Sequence, residues 1–147
     1  MEEVAAFAKA LKAKKVGIAT CIGLVEETHL FVRYLASQGI ESYSVLCKVG
    51  AIDKKLVGLP KKSEAHESTC NPILQAKLLE EQGTELNVVI GLCVGHDTLF
   101  FKHSKAPVTY LLVKDRVTKH NLPASLARIA ESLKAQDTAT PSQVCTH

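Results

Sequence analysis

Four of the five cysteines in this 147-residue chain stand where a helix or strand is predicted to begin or end: Cys21, Cys47, Cys70 and Cys93. Cysteines that only fill a core are expected inside strands or on helix faces, because a buried thiol behaves as a small apolar group. A thiol at a helix N-terminus is more acidic than usual, and the thiolate is the form that binds metals and attacks electrophiles. Their placement favours chemistry, but the spacing is not that of a zinc ribbon or a ferredoxin, so the residues alone leave both a shared metal site and a packing role open.

The elements that position these thiols are predicted from apolar runs. Leu86 to Leu92 is apolar without strict alternation, which is typical of a strand covered on both faces of a parallel sheet. Further strands are predicted at 16–20, 42–49 and 108–113, with helices between them. The pattern predicts a flavodoxin- or Rossmann-like three-layer α/β/α sandwich with a four-stranded parallel sheet in the order 2-1-3-4. One domain is expected over 1–135, followed by a polar, mobile tail over 136–147.

The carboxyl edge of such a sheet is where ligands bind. Cys21 and Cys93 end the two strands at the predicted switch point, and each is followed by an aliphatic residue and a glycine, Gly23 or Gly95. These glycines are expected to form tight turns or to allow close approach of a bound group. Cys47 and Cys70 flank the irregular stretch 50–69, whose length predicts a loop covering the site.

Two polar residues follow Cys93 closely. His96 is expected to support a ligand or carry a proton, and Asp97 either joins it or caps a short helix. His66 on the long loop is most simply exposed. Cys93 with His96 as base would also suit a metal-free nucleophile, so Cys93, His96 and Asp97 are the candidate catalytic residues.

Composition and missing motifs exclude several classes. The chain has a net charge of +3, and 46% of its residues are hydrophobic. It contains no apolar stretch long enough to span a membrane and no nucleotide-binding glycine motif. A phosphatase-type loop would need arginine where Glu27 and Leu99 stand. A cytoplasmic protein is expected, and in that compartment five cysteines do not form a disulfide framework. Its expected partners are a small-molecule substrate or a second copy of the chain, without membrane or nucleic-acid contacts.

Several segments resemble one family: VGIATCIGL, SVLCKVG, the CNP triplet at 70–72, GLCVGHD and FFKHSKAPVT. They are similar to domain of unknown function 1847, whose members are often labelled metal-binding proteins. The resemblance extends from the first strand to about Asn121 and leaves Cys145 outside. It implies a metal site made by all four matched cysteines: Cys21, Cys47, Cys70 and Cys93.

Three functional hypotheses remain open from the sequence. The favoured one is a metal-binding protein whose four thiolates hold zinc or an iron–sulfur cluster, the metals that suit such ligands. The alternative is a metal-free hydrolase or sulfur-transfer enzyme that uses Cys93 with His96. The third is a non-catalytic module in which a metal ties the 50–69 loop to the sheet edge.

Overall fold

The computed structural model describes residues 1–136, which form two compact units, Met1–Lys114 and the segment from Asp115 onward. The first unit contains eight of the main elements: α1 (Glu2–Ala10), β1 (Lys15–Thr20), α2 (Val25–Ser37), β2 (Glu41–Leu46), α3 (Pro72–Glu81), β3 (Leu86–Ile90), α4 (His96–His103) and β4 (Val108–Leu112). The second unit contains α5 (Leu122–Gln136). The predicted tail beyond position 136, with Cys145, lies outside the described residues.

The four strands form one parallel sheet in the order β2-β1-β3-β4, as predicted. The chain moves from β1 outward to β2 and then back past β1 to β3. Because parallel crossovers are right-handed, this reversal places α2 on one face of the sheet and α3 on the other. The predicted three-layer α/β architecture is confirmed.

The core lies along the central strands β1 and β3. All five residues of β3 are buried, as its unbroken apolar character predicts, and β1 is buried from its second residue onward. On α2 the buried side chains are Thr28, Phe31 and Leu35, which share one helical face. The two central strands are therefore held rigidly between helices, and their carboxyl ends make a firm base for a site.

A buried polar cluster fixes β1 against β3 at the opposite end of the sheet. Asn87, only 1% exposed, accepts a hydrogen bond from Thr84 at 2.8 Å and donates one to Ser104 at 2.8 Å. Gly17 faces this amide, and a Cβ at Gly17 would lie 2.0 Å from Asn87 Oδ1. Glycine is thus required there because the strands and the amide approach too closely for a side chain.

Strand and helix boundaries differ from the predicted ones by a few residues, and two of these differences affect the site. β2 ends at Leu46 rather than at position 49, so Cys47 follows the strand instead of lying in it. The Cys47 carbonyl accepts the Asn71 N–H at 2.8 Å, which turns the chain toward α3. α4 begins at His96, preceded by Gly95, so Asp97 lies in its first turn and does not occupy the cap position.

Candidate functional site

Backbone hydrogen bonds continue one residue past the strands and position Cys21 and Cys47. The Cys21 N–H donates to the Ile90 carbonyl at 3.1 Å, and the Cys47 N–H donates to the Thr20 carbonyl at 2.8 Å. Both cysteines therefore lie at the carboxyl edge of the sheet, on the neighbouring strands β1 and β2. The structure places them side by side, as the sequence predicts.

Cys70 reaches the same place from the start of α3. Asn71 donates its backbone N–H to the Cys47 carbonyl, and its side chain caps α3 by accepting the Leu74 N–H at 3.0 Å. Pro72 occupies the first helical position, as predicted. The cap and the bond to Cys47 together bring Cys70 against the end of β2.

The three thiols interact, with Cys47 in the middle. Burial raises the pKa of the Cys47 thiol to about 12; the Ile22 N–H, 3.3 Å from the sulfur, opposes this rise, whereas negative charge on Cys70 or Cys21 adds to it. Cys47 is close enough to each of these two thiols for their charges to influence one another. The cluster therefore resists carrying several negative charges at once.

Cys21 has the opposite tendency. Burial opposes its ionisation, yet the pKa of Cys21 is lowered, because the Gly23 N–H donates to the sulfur and the Lys114 ammonium lies 3.1 Å away. Lys114 follows β4, which is separated from β1 by β3. Its side chain reaches past the end of β3 to neutralise a thiolate on β1.

Beneath the two strand ends lies Gln75, a fully buried residue of α3. Its amide nitrogen donates to the Thr20 carbonyl at 3.2 Å and to the Val45 carbonyl at 2.8 Å. These carbonyls precede Cys21 and Cys47 by one and two residues. Gln75 therefore links the two strands immediately below the thiols, and its Oε1 has no hydrogen-bond partner among the described residues.

Cys93 lies at the same edge, three residues beyond β3, and is partly buried. Its carbonyl accepts the N–H groups of His96 at 2.9 Å and Asp97 at 3.1 Å, which begins α4. His96 is the first residue of that helix and is partly buried. Gly95 has φ +89°, a conformation that glycine adopts without strain, so the turn after Cys93 depends on it.

Asp97 is occupied in holding this turn together. One carboxylate oxygen accepts the N–H groups of Gly95 at 2.8 Å and Thr98 at 2.7 Å, and the other accepts the Tyr110 hydroxyl at 2.7 Å. Burial opposes ionisation, but these hydrogen bonds hold the pKa of Asp97 below its usual range. Burial and the bond to Asp97 raise the pKa of Tyr110 to about 12, and its ring stacks on Phe101.

The 50–69 loop is organised by its own charges. Asp53 pairs with Lys61 at 3.3 Å and with His66 at 3.2 Å, and Lys54 pairs with Glu67 at 2.9 Å. The exposed His66 is thus engaged within the loop. Beside the thiols the loop leaves an open cavity of about 330 Å³, whose lining residues are Ile22, Lys48, Lys54, Glu67 and Ser68.

The structure thus joins Cys21, Cys47 and Cys70 and places Cys93 at the same edge. As they stand, no three His, Cys, Asp or Glu side chains within residues 1–136 are arranged to hold a metal ion. Sequence reasoning missed Lys114, Gln75 and Tyr110. Of these three residues, only Lys114 could have been found from the sequence, because it follows the fourth strand and so lies at the same carboxyl edge as the predicted site.

Fold and site define a Rossmann-like α/β protein with cysteines gathered at the carboxyl edge of its sheet. The chain belongs to the family described as protein of unknown function, DUF1847, whose model matches residues 1–111. It is 48% identical over 127 residues to the uncharacterized protein MJ0455 of Methanocaldococcus jannaschii, an alignment that covers 86% of this chain. The chain spans about 65% of that relative's length. No helix within residues 1–136 is long and apolar enough to cross a membrane.

Proposed function

We propose that this protein binds a thiophilic metal ion or cluster through cysteine thiolates at the carboxyl edge of its sheet. Cys21, Cys47 and Cys70 are the core ligands, and Cys93 completes the set from the end of β3. The observation that supports this proposal is the position of the buried Cys47 between two other thiols, Cys21 and Cys70, with which it interacts. Thiolate sulfur selects zinc, copper(I) or an iron–sulfur cluster over harder cations.

Electrostatics explains why such a cluster favours a cation. The pKa of Cys47 is raised to about 12 by burial and by neighbouring negative charge, so the thiols cannot all ionise without compensation. A bound metal supplies that compensation and deprotonates its thiol ligands. The N–H groups of Ile22 and Gly23 already donate to the sulfurs of Cys47 and Cys21, the kind of surrounding hydrogen bond that orients metal ligands.

Metal binding requires a rearrangement of side chains. The Lys114 ammonium donates a hydrogen bond to the Cys21 sulfur and has to move away before that sulfur can bind a cation. The three thiols have to turn toward a common point, since they do not yet form an ion-holding group. Zinc would give a closed tetrahedral site that ties α3 and its preceding loop to the sheet, whereas a cluster held by three or four cysteines would leave room for chemistry. Reduced thiols of this kind suit the cytoplasm.

The test is metal analysis of protein purified without oxygen, together with its absorption spectrum and acid-labile sulfide. We expect stoichiometric zinc in a colourless protein, or iron and sulfide in a coloured one. Cys47→Ser should lose most of the metal because this thiol touches both neighbours, while Cys145→Ser serves as the matched control. Metal content equal in both variants and the parent would contradict the proposal.

A second candidate function is a metal-free thiol nucleophile at Cys93, with His96 as its base and a small molecule as substrate. The observation that favours it is the rigid turn formed by Gly95 and the Asp97–Tyr110 hydrogen bond, which fixes Cys93 at the start of α4. A helix N-terminus stabilises a thiolate. If this function is correct, alkylation of Cys93 in metal-free protein should slow in His96→Asn, and an unchanged rate would exclude His96 as the base.

A further inference from the structure

We propose that in the metal-free protein Cys21 and Cys47 form a dithiol pair that reduces low-molecular-weight disulfides, with Cys21 as the attacking sulfur and Cys47 as the resolving sulfur. This activity goes beyond metal binding but uses two of the proposed metal ligands. A bound metal would therefore block it.

The register of the sheet places the two residues at a distance that suits a disulfide. β1 and β2 pair with Thr20 opposite Leu46, and the Cys47 N–H bond to the Thr20 carbonyl continues that register, so Cys21 lies beside Cys47. Neighbouring strands lie about 4.8 Å apart. This spacing falls within the range of about 4.4–6.8 Å that separates the Cα atoms of disulfide-bonded cysteines. The Gln75 amide holds the two strand ends together from below. Both sulfurs are reduced in the structure.

Different surroundings assign different roles to the two sulfurs. Lys114 places an ammonium 3.1 Å from the Cys21 sulfur, which stabilises a thiolate there. Cys47 is buried between the Cys21 and Cys70 thiols, and the Ile22 N–H donates to its sulfur at 3.3 Å. Cys21 adjoins the exposed turn at Ile22 and Gly23 and is therefore placed to meet a disulfide first, while Cys47 lies behind it as the second sulfur of a two-step reduction.

Access to Cys21 is through the exposed turn formed by Ile22 and Gly23. A Cβ at Gly23 would lie 4.0 Å from the Cys21 sulfur, so glycine leaves this approach open. A larger residue at position 23 would cover the sulfur without touching the core. The Cys21 residue is 8% exposed, and the proposal takes a substrate to approach it from this turn.

The reaction balances in two exchange steps. The Cys21 thiolate attacks one sulfur of the substrate disulfide, which forms a mixed disulfide and releases the first substrate thiolate. Cys47 gives up its proton to that thiolate and attacks the Cys21 sulfur, so the mixed disulfide breaks and the second half of the substrate leaves as a thiolate, which takes a proton from water. The protein ends with a Cys21–Cys47 disulfide, and two electrons have passed to the substrate, which becomes two thiols.

The experiment uses the full chain, reduced, stripped of metal with a chelator and incubated without oxygen with glutathione disulfide. After acid quenching and alkylation, trypsin places the four described cysteines in four separate peptides, residues 16–33, 34–48, 63–77 and 78–102, which mass spectrometry distinguishes. We expect peptides 16–33 and 34–48 to be joined by a disulfide. In Cys47→Ser and Cys47→Ala, glutathione should remain attached to Cys21, and in Cys21→Ser its consumption should fall about tenfold or more.

Cys145→Ser is the matched control and should behave as the parent protein does. A Cys47–Cys70 disulfide, or glutathione on Cys70 or Cys93 with Cys21 and Cys47 both alkylated, would overturn the proposal. Circular dichroism of each variant shows whether it folds. Two substitutions of Cys47, to serine and to alanine, are used so that the test still works if one of them does not fold. Metal content is measured separately on untreated protein, so failure of the exchange and failure of metal binding are told apart.

Discussion

Removing the charge of Lys114 should slow the reaction of Cys21 with an alkylating reagent. The ammonium and the sulfur are 3.1 Å apart. Two unit charges at this distance attract by about 1 kcal/mol in water and about 5 kcal/mol at an effective dielectric constant of 20. Because Lys114 is partly exposed, we take a value near the lower end, about 2 kcal/mol, for the stabilisation of the thiolate.

This energy fixes the expected size of the effect. A loss of about 2 kcal/mol lowers the thiolate fraction roughly 30-fold. A less acidic thiol is also a better nucleophile, with a Brønsted coefficient of about 0.4–0.5, so the alkylation rate in Lys114→Met should fall only about sixfold.

The assay follows modification of Cys21 by iodoacetamide, a neutral reagent, at pH 7 in reduced, metal-free protein. Lys114→Arg keeps the charge and should retain most of the rate, and Lys14→Met removes an exposed lysine that precedes β1 and should change nothing. Equal rates in Lys114→Met and the parent would refute the assignment of Lys114 as the counter-ion of Cys21.

Three further outcomes are expected. Gly17→Ala should lower the free energy of unfolding, measured by chemical denaturation, by about 2–5 kcal/mol. The new Cβ would displace the Asn87 amide, which overpacks the core and breaks a buried hydrogen bond. A loss of stability no larger than that of a surface substitution would contradict this prediction. Tyr110→Phe keeps the ring but removes the hydrogen bond to Asp97, so amide hydrogens of the turn after Cys93 should exchange faster and stability should fall by about 1 kcal/mol. The pKa of Glu67 is lowered from 4.5 to about 2, first by the hydrogen bond from its lysine partner, so the 50–69 loop should be fully stabilised above pH 4.5 and lose that contribution as the pH falls toward 2. Proteolysis of this loop should therefore increase over that acid range in the parent and vary less with pH in Glu67→Gln, and equal pH profiles would count against the ion pair.

Much of the fold follows from local patterns. The apolar run at β3 predicts a strand buried on both faces, and all five residues are buried. Alternating strands and helices, combined with right-handed crossovers, leave few sheet orders, and the expected one is present. The convergence of Cys21 and Cys47 follows directly, because parallel strands end at the same edge. Asn71 and Pro72 likewise predict the start of α3 beside Cys70.

The interactions that sequence reasoning missed depend on three-dimensional distances. Lys114 reaches Cys21 across the end of β3 and over 93 residues of chain, so no local pattern could pair them. From the sequence alone, Asp97 could be a helix cap or a catalytic group. Its hydrogen bond from Tyr110 on β4 shows that it holds the turn after Cys93 in place. β2 ends early because the chain turns after Leu46, where the Val49 N–H donates to the Leu46 carbonyl at 3.1 Å, and the strand-forming residues of that segment do not predict this turn.

The central claim is that thiolates of this sheet edge hold a metal, and X-ray absorption at the metal's edge tests it most directly. Protein loaded with zinc under reducing conditions should show three or four sulfur neighbours at about 2.3 Å. Cys47→Ser should lose sulfur neighbours or fail to load. A parent spectrum with only nitrogen and oxygen neighbours at about 2.0–2.2 Å would contradict the claim.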